Sequence, residues 1–144
     1  MKYTCEVTLG LPRNRVVELF DSFENLTKWQ PGLRSFEHLR GEAGQPGAKT
    51  KLVYDERGRK VEMIETIATR NLPDEFSGTY EANNVKNWIK NSFFEEGEST
   101  TRWSMQTEFQ FSGFMAILSK FMRRAFPKQT LKDMNRFKDF AESQ

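Results

Sequence analysis

Between Leu33 and Phe111 the sequence repeats one pattern six times: a short stretch of alternating apolar and polar residues, then a cluster of turn residues. A period of two sends successive side chains to opposite faces of a strand, so the alternating stretches read as strands with one buried face, and 34–40 reads as a strand beside them. The six are 34–40, 48–55, 60–69, 76–82, 85–94 and 100–111. Their separators are Gly41 to Gly47, Glu56-Arg-Gly58-Arg, Leu72-Pro73, Asn83-Asn84 and Glu95-Glu-Gly97-Glu. Most are of hairpin length, which makes neighbouring strands antiparallel. Tyr3, Cys5, Val7 and Leu9 alternate in the same way, so residues 2–9 predict a seventh strand of one sheet.

Two segments depart from this period. After Gly10, Pro12 suits the first turn of a helix carrying Val16, Val17, Leu19 and Phe20. Asp21 or Ser22 caps a second short helix with Phe23, Leu26 and Trp29, closed by Pro31-Gly32. From Gly113 to Glu142 the apolar residues fall at helical spacing: Phe114, Leu118, Phe121, Met122, Ala125 and Phe126, then Thr130, Met134, Phe137 and Ala141. Pro127 predicts a kink or a split within this helix. The first half is apolar on nearly every side, so it fills a groove of the sheet or covers something. At 144 residues the whole chain, 1–144, reads as one α+β domain.

Composition narrows the chemistry. Nineteen aromatic rings argue against disorder, and a lone cysteine, Cys5, excludes a disulfide scaffold. No stretch approaches the roughly 18 apolar residues that span a bilayer, and the start of the chain lacks the apolar core of a signal peptide. A free thiol without a signal leads us to expect a cytoplasmic protein. The net charge of +2 gives no reason to expect a nucleic-acid partner. The charge is uneven, however. Lys120, Arg123, Arg124, Lys128, Lys132, Arg136 and Lys138 face one acid, Asp133, in the same stretch. This basic helix is either a solvated face or a contact for an acidic partner or anionic lipid head groups.

The order of strand, two short helices, six antiparallel strands and a long C-terminal helix suits a curved sheet gripping that helix. Four stretches resemble the START-related superfamily of polyketide cyclase/dehydrase-like proteins, called SRPBCC: Val16 to Gly32, Gly41 to Gly47, Thr100-Thr-Arg-Trp103 and Leu131 to Glu142. The resemblance covers almost the whole chain and implies the helix-grip fold of the birch pollen allergen. It also implies a cavity between sheet and helix for an apolar or amphipathic small molecule. Only some members are enzymes, and no catalytic motif of the family transfers residue by residue.

Strand parity gives a separate estimate of the cavity wall. Trp103, Met105, Thr107, Phe109 and Phe111 share the inward face of the last strand. By the same test Thr50, Leu52 and Tyr54, then Val61, Met63, Glu65 and Ile67, then Phe76, Gly78, Tyr80 and Ala82 point inward. Lys86 and Lys90 belong in water, which turns Val85, Asn87, Ile89, Asn91 and Phe93 in and leaves Trp88 out. Glu65, Asn87, Asn91 and Thr107 thus fall on faces that are otherwise apolar. Either they orient a ligand, or a β-bulge or the open sheet end gives them solvent; both readings stand.

The expected lining is Tyr54, Met63, Glu65, Tyr80, Asn87, Ile89, Asn91, Trp103 and Met105, with Phe114, Leu118 and Phe121 of the helix closing it. Trp29 either stands at the entrance or packs the core. The leading expectation is a carrier, sensor or chaperone for a hydrophobic, lipid- or polyketide-like molecule. A second is a cyclase or dehydratase with Glu65 as general base, aided by Asn87 or Asn91, because a carboxylate among Val61, Met63 and Ile67 is raised in pKa by desolvation. A third is an interaction module docking Gly113 to Lys128 on a membrane or partner, with Lys120, Arg123, Arg124 and Lys128 as its charges; the same apolar stretch suggests a homodimer. No cofactor or metal is expected. His38, the only histidine, reads as a strand-surface residue, Cys5 as a core residue, and Gly41, Gly44 and Gly47 as turn residues.

Overall fold

Each period-two stretch becomes a strand and each period-3.6 stretch a helix in the computed structural model, which describes residues 1–144. The chain begins with β1 (Lys2–Leu9), α1 (Arg13–Phe20) and α2 (Phe23–Trp29). Six strands follow: β2 (Leu33–Arg40), β3 (Lys49–Glu56), β4 (Arg59–Asn71), β5 (Glu75–Ala82), β6 (Val85–Gly97) and β7 (Thr100–Phe111). Helices α3 (Phe114–Phe121) and α4 (Ala125–Glu142) complete it. The strands form one antiparallel sheet in the order β1-β7-β6-β5-β4-β3-β2. The first strand therefore lies at one edge beside the last, while β2 forms the other edge, and α1 and α2 carry the chain across between them.

Local chemistry fixes the turns and helix ends. Arg57 and Gly58 both take positive φ, 56° and 79°, which gives the β3–β4 hairpin the twist of its strands. Asn84, at φ 61°, turns β5 into β6 in a conformation that asparagine tolerates well. The Ser22 hydroxyl accepts the Asn25 backbone N–H at 3.3 Å and caps α2. Pro12 is the N-cap of α1, just ahead of its expected place in the first turn. Pro127 does not mark the break it predicts. The C-terminal segment splits at Met122 to Arg124, and Pro127 is the third residue of α4, where a missing N–H costs no helical bond.

The tightest packing lies where α1, α2 and the second half of α4 meet β1, β6 and β7. Trp103, Phe137, Leu9, Met134 and Val16 are fully buried there. Phe20 meets Phe93, Trp103 and Phe137 edge-on at 5.2, 5.6 and 5.8 Å between ring centres, and Trp29 meets Phe137 at 5.1 Å. Such pairs add to the burial of large rings. Helix α4 runs along β1: Tyr3 hydroxyl and Thr130 Oγ1 are 2.8 Å apart, and Glu142 accepts the Gly10 N–H at 2.8 Å. Leu33, Ala48, Leu52 and Ile67 are also buried but do not join this cluster. A domain of this size ordinarily has one contiguous core; here the inward interval beyond the cluster is mixed, with Thr50, Asn87 and Thr107 buried and Met63, Glu65, Tyr80 and Ile89 half-buried.

Gly78 sits in that interval, opposite an irregularity of β4 between Ile67 and Thr69. A Cβ there would lie 2.6 Å from the Thr66 carbonyl oxygen, so only glycine lets the bulged strand approach.

This division predicts very unequal costs of truncation. Phe137→Ala lowers unfolding free energy by about 3–5 kcal/mol in urea titrations. Phe121→Ser, on an exposed side chain, changes it by less than about 0.5 kcal/mol.

Candidate functional site

Residues directly opposite one another in antiparallel strands share a face. Following the pairing across the sheet from Thr50 leads to Glu65, Tyr80, Asn87 and Phe109 in turn. Four polar side chains thus form a row along the concave wall, passing at the β3 end between the buried Ala48 and Leu52. The Tyr80 hydroxyl donates to Glu65 Oε2 at 2.7 Å. Asn87 Nδ2 donates to Thr107 Oγ1 at 2.6 Å and to the Glu108 carbonyl at 3.1 Å. At the β3 end, the Tyr54 hydroxyl donates to Gln30 Oε1 at 2.8 Å, tying the wall to the residue that ends α2.

Burial sets the electrostatics of this row. Desolvation pushes the Glu65 carboxyl above its ordinary value, and the Tyr80 hydrogen bond offsets this only in part. Tyr80 is pushed well above the usual phenol range by burial and by the Glu65 charge. Burial raises Tyr54 too, helped by Glu65. Asp133 of α4 is likewise raised by burial, and its charge acts on both Tyr3 and Tyr54. The wall and the helix facing it therefore each carry one carboxyl group that is easier to protonate than usual. Such groups can hydrogen-bond a polar ligand head or exchange a proton with it.

The structure brings together Tyr54, Met63, Glu65, Tyr80, Asn87 and Ile89 on the concave side, at the β3–β6 stretch of the wall. Met105 is half-buried against the aromatic cluster. Two expected lining residues belong to the packed core instead. Trp103 is fully buried, and its indole N–H donates to Asn91 Oδ1 at 3.0 Å, while Asn91 Nδ2 donates to the Phe76 carbonyl at 3.3 Å. Asn91 thereby satisfies a buried tryptophan, and no bulge exposes it.

The helical cover also differs from expectation. Phe114 is 71% exposed and Phe121 83% exposed, so neither closes the grip, and Leu118 is half-buried. The split at Met122 lets α3 turn away while α4 supplies the cover: Phe126 packs on Phe109 at 5.1 Å and on Phe111 at 5.3 Å.

Gln30, Asp133 and Phe126 escaped the sequence reading. Asp133 follows Thr130 by three positions, so helical spacing alone placed it on the same face. Gln30 follows a helix end, and nothing local marks it. Trp29 packs the core. His38 is exposed, with Nε2 2.6 Å from the Gly41 carbonyl oxygen. Cys5 is buried, and burial raises its thiol, the opposite of an activated nucleophile.

No family model matches this sequence, and no curated protein matches it. Solved structures do. Ara h 8.0201 superposes with a TM-score of 0.82 at 17% identity, covering 100% of this chain and 99% of that one. The Zhui aromatase/cyclase from a Streptomyces strain gives 0.80 at 15% identity, covering 99% and 93%. A START superfamily protein from Mycobacterium smegmatis gives 0.77 at 13% identity, covering 99% and 97%. The chain has the helix-grip fold that these structures share. Identities this low carry the fold and no residue-by-residue equivalence, so the site of this helix-grip protein rests on its own geometry.

The raised Glu65 carboxyl makes a signed prediction. A native pKa above the unfolded one means that the folded state holds its proton more tightly, so this group's stabilising contribution is present at low pH and lost as pH rises through the native value. Glu65→Gln removes the cost of the buried charge. Its melting temperature relative to the parent rises most near neutral pH, and the difference shrinks as pH falls toward the ordinary carboxylate range. Differential scanning calorimetry across pH measures this; a pH-independent difference contradicts it.

Proposed function

We propose that this protein binds a hydrophobic or amphipathic small molecule, lipid- or polyketide-like, against the concave wall, as a carrier, sensor or chaperone. One observation carries the reading: a hydrogen-bonded acid and phenol, Glu65 and Tyr80, set half-buried in a wall that is otherwise largely apolar. Ligand sites have this character, with apolar area supplying affinity and a few fixed polar groups supplying orientation. Met63, Ile89 and Met105 provide apolar surface, whose burial contributes roughly 25 cal/mol per Å² less the cost of ordering. Glu65 and Tyr80 receive the ligand's polar end. A free, buried Cys5 thiol fits a reducing compartment, and the cytoplasm is the setting we infer.

A second reading is favoured by the same acid and by one structural neighbour, an aromatase/cyclase. Here Glu65 is the general base of a cyclase or dehydratase, taking a proton from a carbon next to a carbonyl and returning it to the departing oxygen, with Tyr80 holding the carboxyl in place.

Native mass spectrometry of freshly purified protein, followed by organic extraction, tests the binding reading. The expected result is a stoichiometric apolar adduct, with Tyr80→Phe weakening rebinding of the extracted compound roughly two- to tenfold. A clean apo mass together with no affinity for amphipathic fluorescent probes counts against it. For the enzyme reading, Glu65→Gln abolishes turnover of a polyketide-like substrate while leaving its affinity nearly intact; equal activity in the variant sinks that mechanism.

A further inference from the structure

Helix α3 stands out from the surface. Phe114, Ile117 and Phe121 are 71%, 59% and 83% exposed, and Met122 just beyond the helix is 38% exposed. Their spacing of three and four places the first three on one side of the helix, while Leu118 and Ser119 turn toward the protein. Exposed rings grouped on one ridge are uncommon on soluble domains and mark a contact surface.

The charges beside this ridge are also unbalanced. From Phe109 to Lys132 the chain contains no aspartate or glutamate and five cations: Lys120, Arg123, Arg124, Lys128 and Lys132. All five are exposed, and none pairs with a carboxylate within 4.0 Å; the twelve ion pairs of the molecule lie elsewhere. Apolar rings flanked by unanswered cations match the chemistry of an anionic bilayer, where rings enter the acyl boundary and cations meet lipid phosphates. A second copy of the chain is a poor match, because joining two such ridges brings ten cations together without a counter-charge.

The ridge also has a defined place. The start of α3 is held to the β5–β6 turn, where the Ser112 N–H donates to the Asn84 carbonyl at 3.0 Å and Ser112 Oγ donates to Asn84 Oδ1 at 3.2 Å. Phe111 pairs with Val85, two residues along the strand from the Asn87–Phe109 pair of the polar row. That is about 7 Å, so α3 rims the end of the concave wall near Glu65 and Tyr80.

We propose that α3 and the cations that follow it form a peripheral docking surface for anionic membranes, which brings this end of the grip against the lipid. The docking surface does not depend on what the wall binds, so vesicle binding and ligand binding fail separately. Flotation with phosphatidylcholine vesicles, with and without about 30% phosphatidylserine, tests it. The protein is expected to float with the anionic vesicles and to be released when salt is raised from about 0.1 M to about 0.5 M. Phe114→Ser combined with Phe121→Ser lowers partitioning about tenfold or more with the thermal melt unchanged, since both rings are exposed. Lys120→Glu, Arg123→Glu and Arg124→Glu together remove the preference for phosphatidylserine. The proposal is overturned if the parent protein ignores anionic vesicles at low salt, or if the variants float like the parent. It is equally overturned if the ridge proves to serve another occupant. That result is binding to soluble polyglutamate without vesicle binding, or a concentration-dependent dimer in sedimentation that the phenylalanine substitutions abolish without affecting flotation.

Discussion

Burying an indole N–H without a partner is costly, and much of this molecule is arranged around the one that Trp103 receives. Trp103 lies at the centre of the aromatic cluster, and Asn91 on the neighbouring strand accepts its proton while donating to the next strand beyond. The bond crosses the β6–β7 pair on a diagonal, so it exists in only one register of those strands. A slip would leave both groups unsatisfied in an apolar environment, at a cost comparable to a large share of a domain's stability. With this register set, the hydrophobic faces of β6 and β7 point at α1, α2 and α4; Phe20 and Phe137 pack on the tryptophan, and Trp29 packs on Phe137.

The same register generates the polar row of the concave wall. Pairing of β5 with β6 and of β6 with β7 continues outward from the Trp103 end, and it brings Tyr80, Asn87 and Phe109 level with Glu65. Stability and site therefore share a frame but not their atoms. At the packed end Asn91 answers the Trp103 N–H, while the Trp29 indole N–H is buried without a partner. The other end holds a carboxyl group that meets one phenol and is raised in pKa by its surroundings.

Much of this architecture was legible in the residues. Alternation is a local property, so all seven strands, and the inward faces of all but β2, could be read from it, including the outward position of Trp88 and the inward position of Glu65. Pairing register is not local. It depends on turn geometry and on irregularities such as the one between Ile67 and Thr69, which is why the row from Thr50 to Phe109 emerged only from the structure. Asn91 and Trp103 show the limit of parity: it places a side chain on a face but does not say whether that face meets a helix or open space. Phe114 and Phe121 show a related limit, since an apolar helix reads alike whether it covers a cavity or projects from the molecule. Gln30 and Asp133 reach the wall only through the packing of α2 and α4.

The unmerged core also bears on how such a chain can change over generations. Met63 and Ile89 are half-buried and lie outside the aromatic cluster, so substitutions there leave its contacts in place. Substitutions at Trp103 or Phe137 disturb many. A lineage with this layout can vary the chemistry of its wall while keeping its scaffold, so close relatives of one shape can diverge in what they hold.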